Sequence, residues 1–431
     1  MTTLGETKQT LTFILRAFRH RNYRLFFGGQ GLSLVGTWMQ QIAVSWLVYR
    51  LSGSALVLGL VGFVGQSPAL FAAPVAGVFA DRFNRYRLLI ILQVLAMVQA
   101  SLLAFLTLSG LVAVWHLFLL SAFLGFVNAF EIPTRQSFVL DMLDRKEDLG
   151  NAIALNSFMF NSSRLVGPSI AGIIIGLVGE GICFLLNAIS FLAIIVALVS
   201  MRIQKRTGGS IDMPLLLGLK EGFSYAFGFA PIKYILILLG LVSLAGMPYL
   251  ILMPVFAKDV LHGGPHTLGF LMGASGTGAL IGALFLASRV SVVGTNKMLS
   301  IGALVFGVSL VGFSFSGHVV LSLILMLFTG FHMILVMSSS NIMLQTIAEE
   351  DKRGRIISLY VLALMGTAPF GSLLAGIAAN HFGAPNTILA GGVVCVLASL
   401  FFYLKLPVIR EQVQPIYRQL GLIEEMPSAL K

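Results

Sequence analysis

Apolar runs of about 20 residues recur along nearly all of this 431-residue chain, separated by short polar breaks. A helix needs such a run to cross a hydrocarbon core roughly 30 Å thick. Lipid offers the backbone no water, so membrane spans are helices or closed barrels. Barrel strands alternate polar and apolar positions, and these runs do not. The pattern therefore predicts twelve helices, over 24–49, 55–79, 87–108, 113–133, 152–177, 181–201, 233–256, 267–288, 297–315, 318–342, 356–379 and 386–406. The expected fold class is an all-α integral membrane protein.

The longest break, 202–232, carries Arg202, Lys205, Arg206, Gly208, Gly209, Asp212, Pro214, Lys220 and Glu221. It reads as a polar linker, followed by a possible surface helix, between two six-helix bundles at 24–201 and 233–406. A basic amphipathic segment, 1–23, precedes the first bundle and is expected to lie along the inner membrane surface. A short tail, 407–431, follows the second. The halves repeat faintly at a spacing of 204 residues. Gly150-Asn-Ala-Ile-Ala-Leu aligns with Gly354-Arg-Ile-Ile-Ser-Leu, and Gly167-Pro-Ser-Ile-Ala-Gly172 with Gly371-Ser-Leu-Leu-Ala-Gly376. Repeated halves are how many transporters place a site near the membrane midplane.

Composition agrees with lipid as the solvent: 57% of residues are hydrophobic and 10% charged, with mean hydropathy +0.93. The net charge of +11 raises the question of nucleic acid, and its distribution answers it. With both termini in the cytoplasm, all but three of the 28 Lys and Arg fall on the cytoplasmic side; the exceptions are Arg50, Lys258 and, inside a span, Arg164. That is the positive-inside pattern. Anionic lipid headgroups are a secondary partner of so basic a face. No nucleic-acid partner is expected, and a monomer is. Cys183 and Cys395 lie in predicted spans and read as small core residues. No cleavable leader precedes the first span. The expected location is a bacterial plasma membrane, crossed many times.

Polar residues inside spans are the candidates for chemistry. On helix 1, Gln30, Ser33, Thr37, Gln41 and Ser45 share a face by helical spacing, with Trp38 nearby. They read as lining of a wet cavity, against the alternative of helix–helix hydrogen bonding. On helix 5, Ser157, Asn161, Arg164 and Pro168 share a face. Arg164 is the one charge deep in a span. It is expected to bind an anionic substrate group or to act in coupling, the bland alternative being backbone carbonyls as its partners. His332, in helix 10, titrates in the right range for a proton relay. A lone histidine is more often a hydrogen-bonded core residue.

Residues 77–87 read Gly-Val-Phe-Ala-Asp-Arg-Phe-Asn-Arg-Tyr-Arg between two spans. The stretch resembles the signature between the second and third helices of the major facilitator superfamily. Gly77, Asp81, Arg82 and Arg85 match it. Asn84 stands where Gly is usual, and Asn tolerates left-handed backbone better than most residues. The resemblance extends over about 15–406 and is similar to the enterobactin-exporter and macrolide-efflux branch. It runs through Asn22-Tyr-Arg-Leu-Phe-Phe, Leu32-Ser-Leu-Val-Gly-Thr-Trp-Met-Gln-Gln, Leu51-Ser-Gly-Ser, Pro133-x-Arg135-Gln136 and Arg164-Leu-Val-Gly-Pro. It implies two pseudo-symmetric bundles of six helices. It also implies that Asp81 packs at the start of helix 11 and that Arg85 couples to an acid at the end of helix 4, the place Glu131 occupies. The expected gating latch is thus Gly77, Asp81, Arg82, Arg85 and Glu131. Gly167-Pro168-x-x-Ala171-Gly172 resembles the Gly-Pro-x-x-Gly-Gly motif of exporters in the superfamily.

No phosphate-binding Gly-x-x-x-x-Gly-Lys-Ser/Thr loop, HExxH or zinc spacing occurs, so no cofactor, metal or enzyme activity is expected. An ion gradient remains as the drive. One charge crossing about 100 mV supplies roughly 2.3 kcal/mol, about a fifty-fold gradient. The predicted spans hold no mid-membrane carboxylate, and Glu131, at the edge, is the best acid for coupling. The family likeness implies a proton-coupled exporter of small organic molecules: siderophores, macrolide-like drugs or metabolites. A lysophospholipid flippase of the same fold and a non-transporting sensor or scaffold are the alternatives.

Overall fold

Arg21–Ser52 opens a run of long helices in which lipid-length apolar segments end at capping residues. The computed structural model describes residues 16–203, 224–289, 291–350 and 352–422, with side chains at 73–82 and 146 not described. Twelve long helices lie among the described residues: α1 Arg21–Ser52, α2 Ala55–Arg82, α3 Arg85–Leu108, α4 Val114–Phe138, α5 Leu149–Val178, α6 Glu180–Val199, α7 Ala230–Val260, α8 Pro265–Ala287, α9 Thr295–Ser314, α10 Val319–Ile347, α11 Arg353–Phe382 and α12 Ala384–Gln419. Eleven of them have the length and apolar character to cross a membrane. The other is α1, where the polar positions Gln30, Ser33, Thr37, Gln40, Gln41 and Ser45 dilute the apolar run. Side chains such as Leu177 and Phe71 are 78% and 75% exposed. Such surfaces need an apolar solvent.

Local chemistry explains where the helices stop. Gly53, at φ 60°, closes α1 with left-handed backbone, its N–H bonded to the Tyr49 carbonyl. Asn84 corrects an expectation: at φ −65° it is not left-handed. It is the N-cap of α3, its side chain accepting from the Arg87 N–H at 3.1 Å. Arg50, in the last turn of α1, donates through Nε and Nη2 to both oxygens of Glu180, at the first turn of α6, at 2.8 and 3.1 Å. Each charge sits at the helix end whose dipole favours it.

Two expected boundaries move. The helix begun at Ala384 continues to Gln419, because Leu406, Ile409, Val413 and Tyr417 recur at helical spacing and are buried. Most of the described tail is therefore helix. Residues 16–20 do not lie flat on a surface: Ala17 and His20 are buried, and the Ala17 N–H donates to Asn151 Oδ1. Residues 1–15 and the linker stretch 204–223 lie outside the described residues.

By contacts the chain forms two compact units. Unit 1 is Met1–Gly53, Val64–Ile211 and Gly263–Gly273, and unit 2 is Ser54–Phe63, Asp212–His262 and Ala274–Lys431. This division crosses the expected sequence division at two helices, since the first turns of α8 group with unit 1 and those of α2 with unit 2. Glycines make both groupings. In unit 1, a Cβ on Gly172 of α5 would lie 2.8 Å from Gly269 Cα. In unit 2, a Cβ on Gly376 of α11 would lie 2.7 Å from Gly59 Cα. The 204-residue repeat holds in the fold: α5 and α11 start and end at positions 204 apart.

The core of unit 1 gathers Tyr23, Phe26, Leu89, Phe138, Phe191 and Ile194. Above it runs a buried amide network. Asn187 Nδ2 donates to Gln40 Oε1 and Gln40 Nε2 to Gln99 Oε1, both at 2.9 Å, while Gln99 Nε2 donates to the Leu120 carbonyl at 3.2 Å. It ties α1, α3, α4 and α6 together with hydrogen bonds that lipid cannot replace. Unit 2 bends differently: π-turns interrupt α7 at Val242–Gly246 and Phe256–Val260 and α11 at Leu362–Gly366.

Candidate functional site

Gly167 brings α5 against α1. A Cβ there would lie 2.6 Å from Trp38 Cβ and 2.8 Å from the Val35 carbonyl oxygen. This contact holds Trp38 on the polar face of α5. Phe160 meets the Trp38 ring edge-on at 5.7 Å, and Arg164 Cζ stands 5.7 Å from the same ring centroid. Arg164 is only 8% exposed, so its charge is desolvated, the condition in which a cation over indole is strongest. Asn161, also 8% exposed, donates to the Ser157 carbonyl at 2.8 Å, and its Oδ1 has no hydrogen-bond partner among the described residues. Pro168 and Ala171 are buried farther along the helix, and Ser157 is exposed. The structure thus joins Trp38 and Arg164, which the sequence places on separate helices.

The helix 1 stripe divides. Gln30 and Ser33 are buried, Gln30 Oε1 without a partner among the described residues, and Thr37 donates to the Ser33 carbonyl. Gln41 is exposed, whereas its neighbour Gln40 is the hub of the amide network. Spacing alone selects Gln41 because it continues the 30–33–37 row. Gln40 is found only when the partners on α3 and α6 are in place.

The latch is also rearranged. Arg85 Nη1 faces Asp141 Oδ2 at 3.9 Å. Glu131 instead accepts from Arg135 Nε at 2.8 Å and from Gln93 Nε2 at 3.3 Å. Arg135 lies one turn beyond Glu131 on α4, within reach by helical spacing. The 3-10 turn Val139–Met142, after α4, carries Asp141 to Arg85. Gly77, Asp81 and Arg82 belong to the last turns of α2, where side chains are not described.

At the start of α1, His20 is clamped. Its Nδ1 and Nε2 stand 2.9 Å from carboxylate oxygens of Asp144 and Asp148, and Arg16 Nε is 3.4 Å from Asp148. Burial pulls the His20 pKa down, but the two carboxylates outweigh it and hold it above the ordinary value. The hydrogen bond to His20 holds Asp148 below its ordinary value.

In unit 2, His332 is half-buried between Phe331 and Phe328, and its Nδ1 donates to the Phe328 carbonyl one turn back. That bond ties the ring to its own helix. Ser243, inside the first π-turn of α7, donates to the Leu364 carbonyl inside the π-turn of α11. Among the described residues no group of three His, Cys, Asp or Glu is arranged to hold a metal.

Comparison with known proteins places this arrangement. The family described as "Transmembrane secretion effector" matches residues 13–420. The chain is 27% identical over 381 residues to the staphyloferrin A transporter of Staphylococcus aureus, covering 88% of this chain and 95% of that one. It is 26% identical over 373 residues to the multidrug efflux pump Tap of Mycolicibacterium fortuitum, covering 84% and 88%. It is 20% identical over 388 residues to macrolide efflux protein A of Streptococcus pyogenes, covering 88% and 96%. Among solved structures, a bacterial homolog of the human lysosomal transporter Spinster, inward-facing and unoccupied, superimposes with TM-score 0.69 at 13% identity, over 93% of this chain and 98% of that one. A peptide-bound POT family transporter does so with TM-score 0.72 at 12% identity, over 90% and 96%.

Proposed function

The chain belongs to the transmembrane secretion effector family of the major facilitator superfamily, and from that premise we propose that it is a proton-coupled secondary exporter of small organic molecules. It works by alternating access in a bacterial plasma membrane, with both termini cytoplasmic. The relatives' names point to siderophores, macrolides and other drugs as the substrate range. The observation that carries the reading is the buried Arg164 over the Trp38 ring, with Phe160 at its edge. A desolvated cation beside aromatic faces suits amphipathic or aromatic substrates bearing an anionic group. The end of α2, with Gly77, Asp81 and Arg82, forms the gating latch with Arg85, and Asp141 takes the acid's place at Arg85. Glu131 is the coupling acid: it is buried near the cytoplasmic end of a spanning helix and paired with Arg135 of that same helix, whereas Glu180 is bonded through both oxygens to Arg50 of another helix.

Counterflow in proteoliposomes tests the reading. The panel is a siderophore, a macrolide and a lysophospholipid, each with and without a pH gradient. Saturable counterflow of the siderophore or macrolide, accelerated by the gradient and strongly reduced in Arg164→Ala, is the expected result. Movement of the lysophospholipid alone would replace export with lipid flipping.

A further inference from the structure

Gln93 on α3 is only 3% exposed and contributes to no part of the site so far described except one bond. Its Nε2 donates to Glu131 Oε1 at 3.3 Å, and its Oε1, equally enclosed, has no hydrogen-bond partner among the described residues. Glu131 Oε1 also accepts from Arg135 Nε, while the Glu131 side chain keeps 12% of its surface. Arg135 is the charged group bonded to Glu131 among the described residues; Arg85, at the start of α3, faces Asp141 instead. From α1, also packed on α4, no charged side chain bonds to Glu131.

A carboxylate only accepts hydrogen bonds, whereas a carboxylic acid also donates one. A primary amide answers both forms, its N–H donating to the carboxylate and its oxygen accepting from the acid. We propose that Gln93 is the positioning residue for the coupling proton on Glu131. With Glu131 ionised, Gln93 Nε2 and Arg135 Nε hold the carboxylate. When a proton arrives on Glu131, the ion pair with Arg135 weakens. A half-turn of the Gln93 amide then presents Oε1 as acceptor for the new O–H. The proton leaves by the reverse exchange, and no bond other than the O–H forms or breaks. The inference rests on Glu131 as the coupling acid and adds the group that gives each protonation state its own partner.

Infrared difference spectra of the full-length protein in lipid films test this with the proton itself as probe. The pH is lowered from about 8 to about 2, across the ordinary carboxylate range. Acidification should raise a carboxylic-acid C=O band in the wild type that is missing in Glu131→Gln. In Gln93→Met the band should persist at a different wavenumber, because the acid has lost its acceptor. Gln93→Asn, which keeps an amide but draws it back by one methylene, should also move it and stands in if Gln93→Met does not fold. A Glu131 band at the wild-type wavenumber in either variant overturns the role of Gln93 and leaves Glu131 as the carrier. A wild type with no Glu131 band down to about pH 2 overturns the coupling acid as well.

Discussion

The two units handle polarity in opposite ways. The buried Asp, Glu and Arg side chains among the described residues are Glu131, Asp148, Arg164 and Glu180, and all lie in unit 1. The π-turns, at 242–246, 256–260 and 362–366, all lie in unit 2. Unit 1 binds its helices with a buried amide network, and its buried charges each have a close contact: Glu131 with Arg135, Asp148 with His20, Glu180 with Arg50 and Arg164 with the Trp38 ring. Unit 2 buries hydroxyls and bends its backbone, and Ser243 satisfies a carbonyl in a neighbouring π-turn. π-turns inside helices mark functional segments in many proteins. Under the proposed function, substrate and proton chemistry belong to unit 1, and the π-turns make unit 2 the place to look for conformational give.

The strongest way to break this contrast is a pair of substitutions at matched chemistry. Arg164→Ala should reduce counterflow about 30-fold, the equivalent of about 2 kcal/mol for a desolvated cation–aromatic contact. His332→Ala, in unit 2, should change it by no more than about two-fold. Equal losses would end the division of labour. The glycine contacts sharpen the picture from the other direction, because there the units should behave alike. Gly172→Val and Gly376→Val each force a side chain against a facing glycine, and each should lower stability by about 1–3 kcal/mol in thermal unfolding in detergent. A clear inequality would show that the repeat is not used symmetrically.

Ser243→Ala should cost about 1 kcal/mol, within the range of hydrogen bonds between membrane helices, and the loss should be the same at every pH. The smallest effect, and the one that titrates, belongs to the His20 clamp. With the His20 pKa raised, its stabilisation is full below about pH 6.5 and disappears as pH rises through the raised value. The lowered Asp148 contributes above about pH 3.8 and loses its effect as pH falls through its depressed value. Melting temperature should therefore decline as pH rises above about 6.5 in the wild type and not in His20→Ala. A slope unchanged by that substitution would remove the clamp.

Read alone, the chain discloses its solvent, its helix count and its repeat, because each is a property of runs and spacings. Lipid demands apolar segments of set length wherever they fall, and a 204-residue offset is visible in Gly167 and Gly371 before any contact is known. Arg164 stands out for the same reason: a charge in an apolar run is conspicuous without a neighbour. Partnership is a different kind of information. That Glu131 bonds Arg135 and Gln93 rather than Arg85, that Gln40 and not Gln41 is the buried hub, and that Trp38 lies against Arg164 all depend on which helices touch and at what rotation. Helical periodicity names the residues on a face, but only packing in three dimensions selects the face opposite, and hydrogen bonds act over too short a reach to be legible before that choice is made.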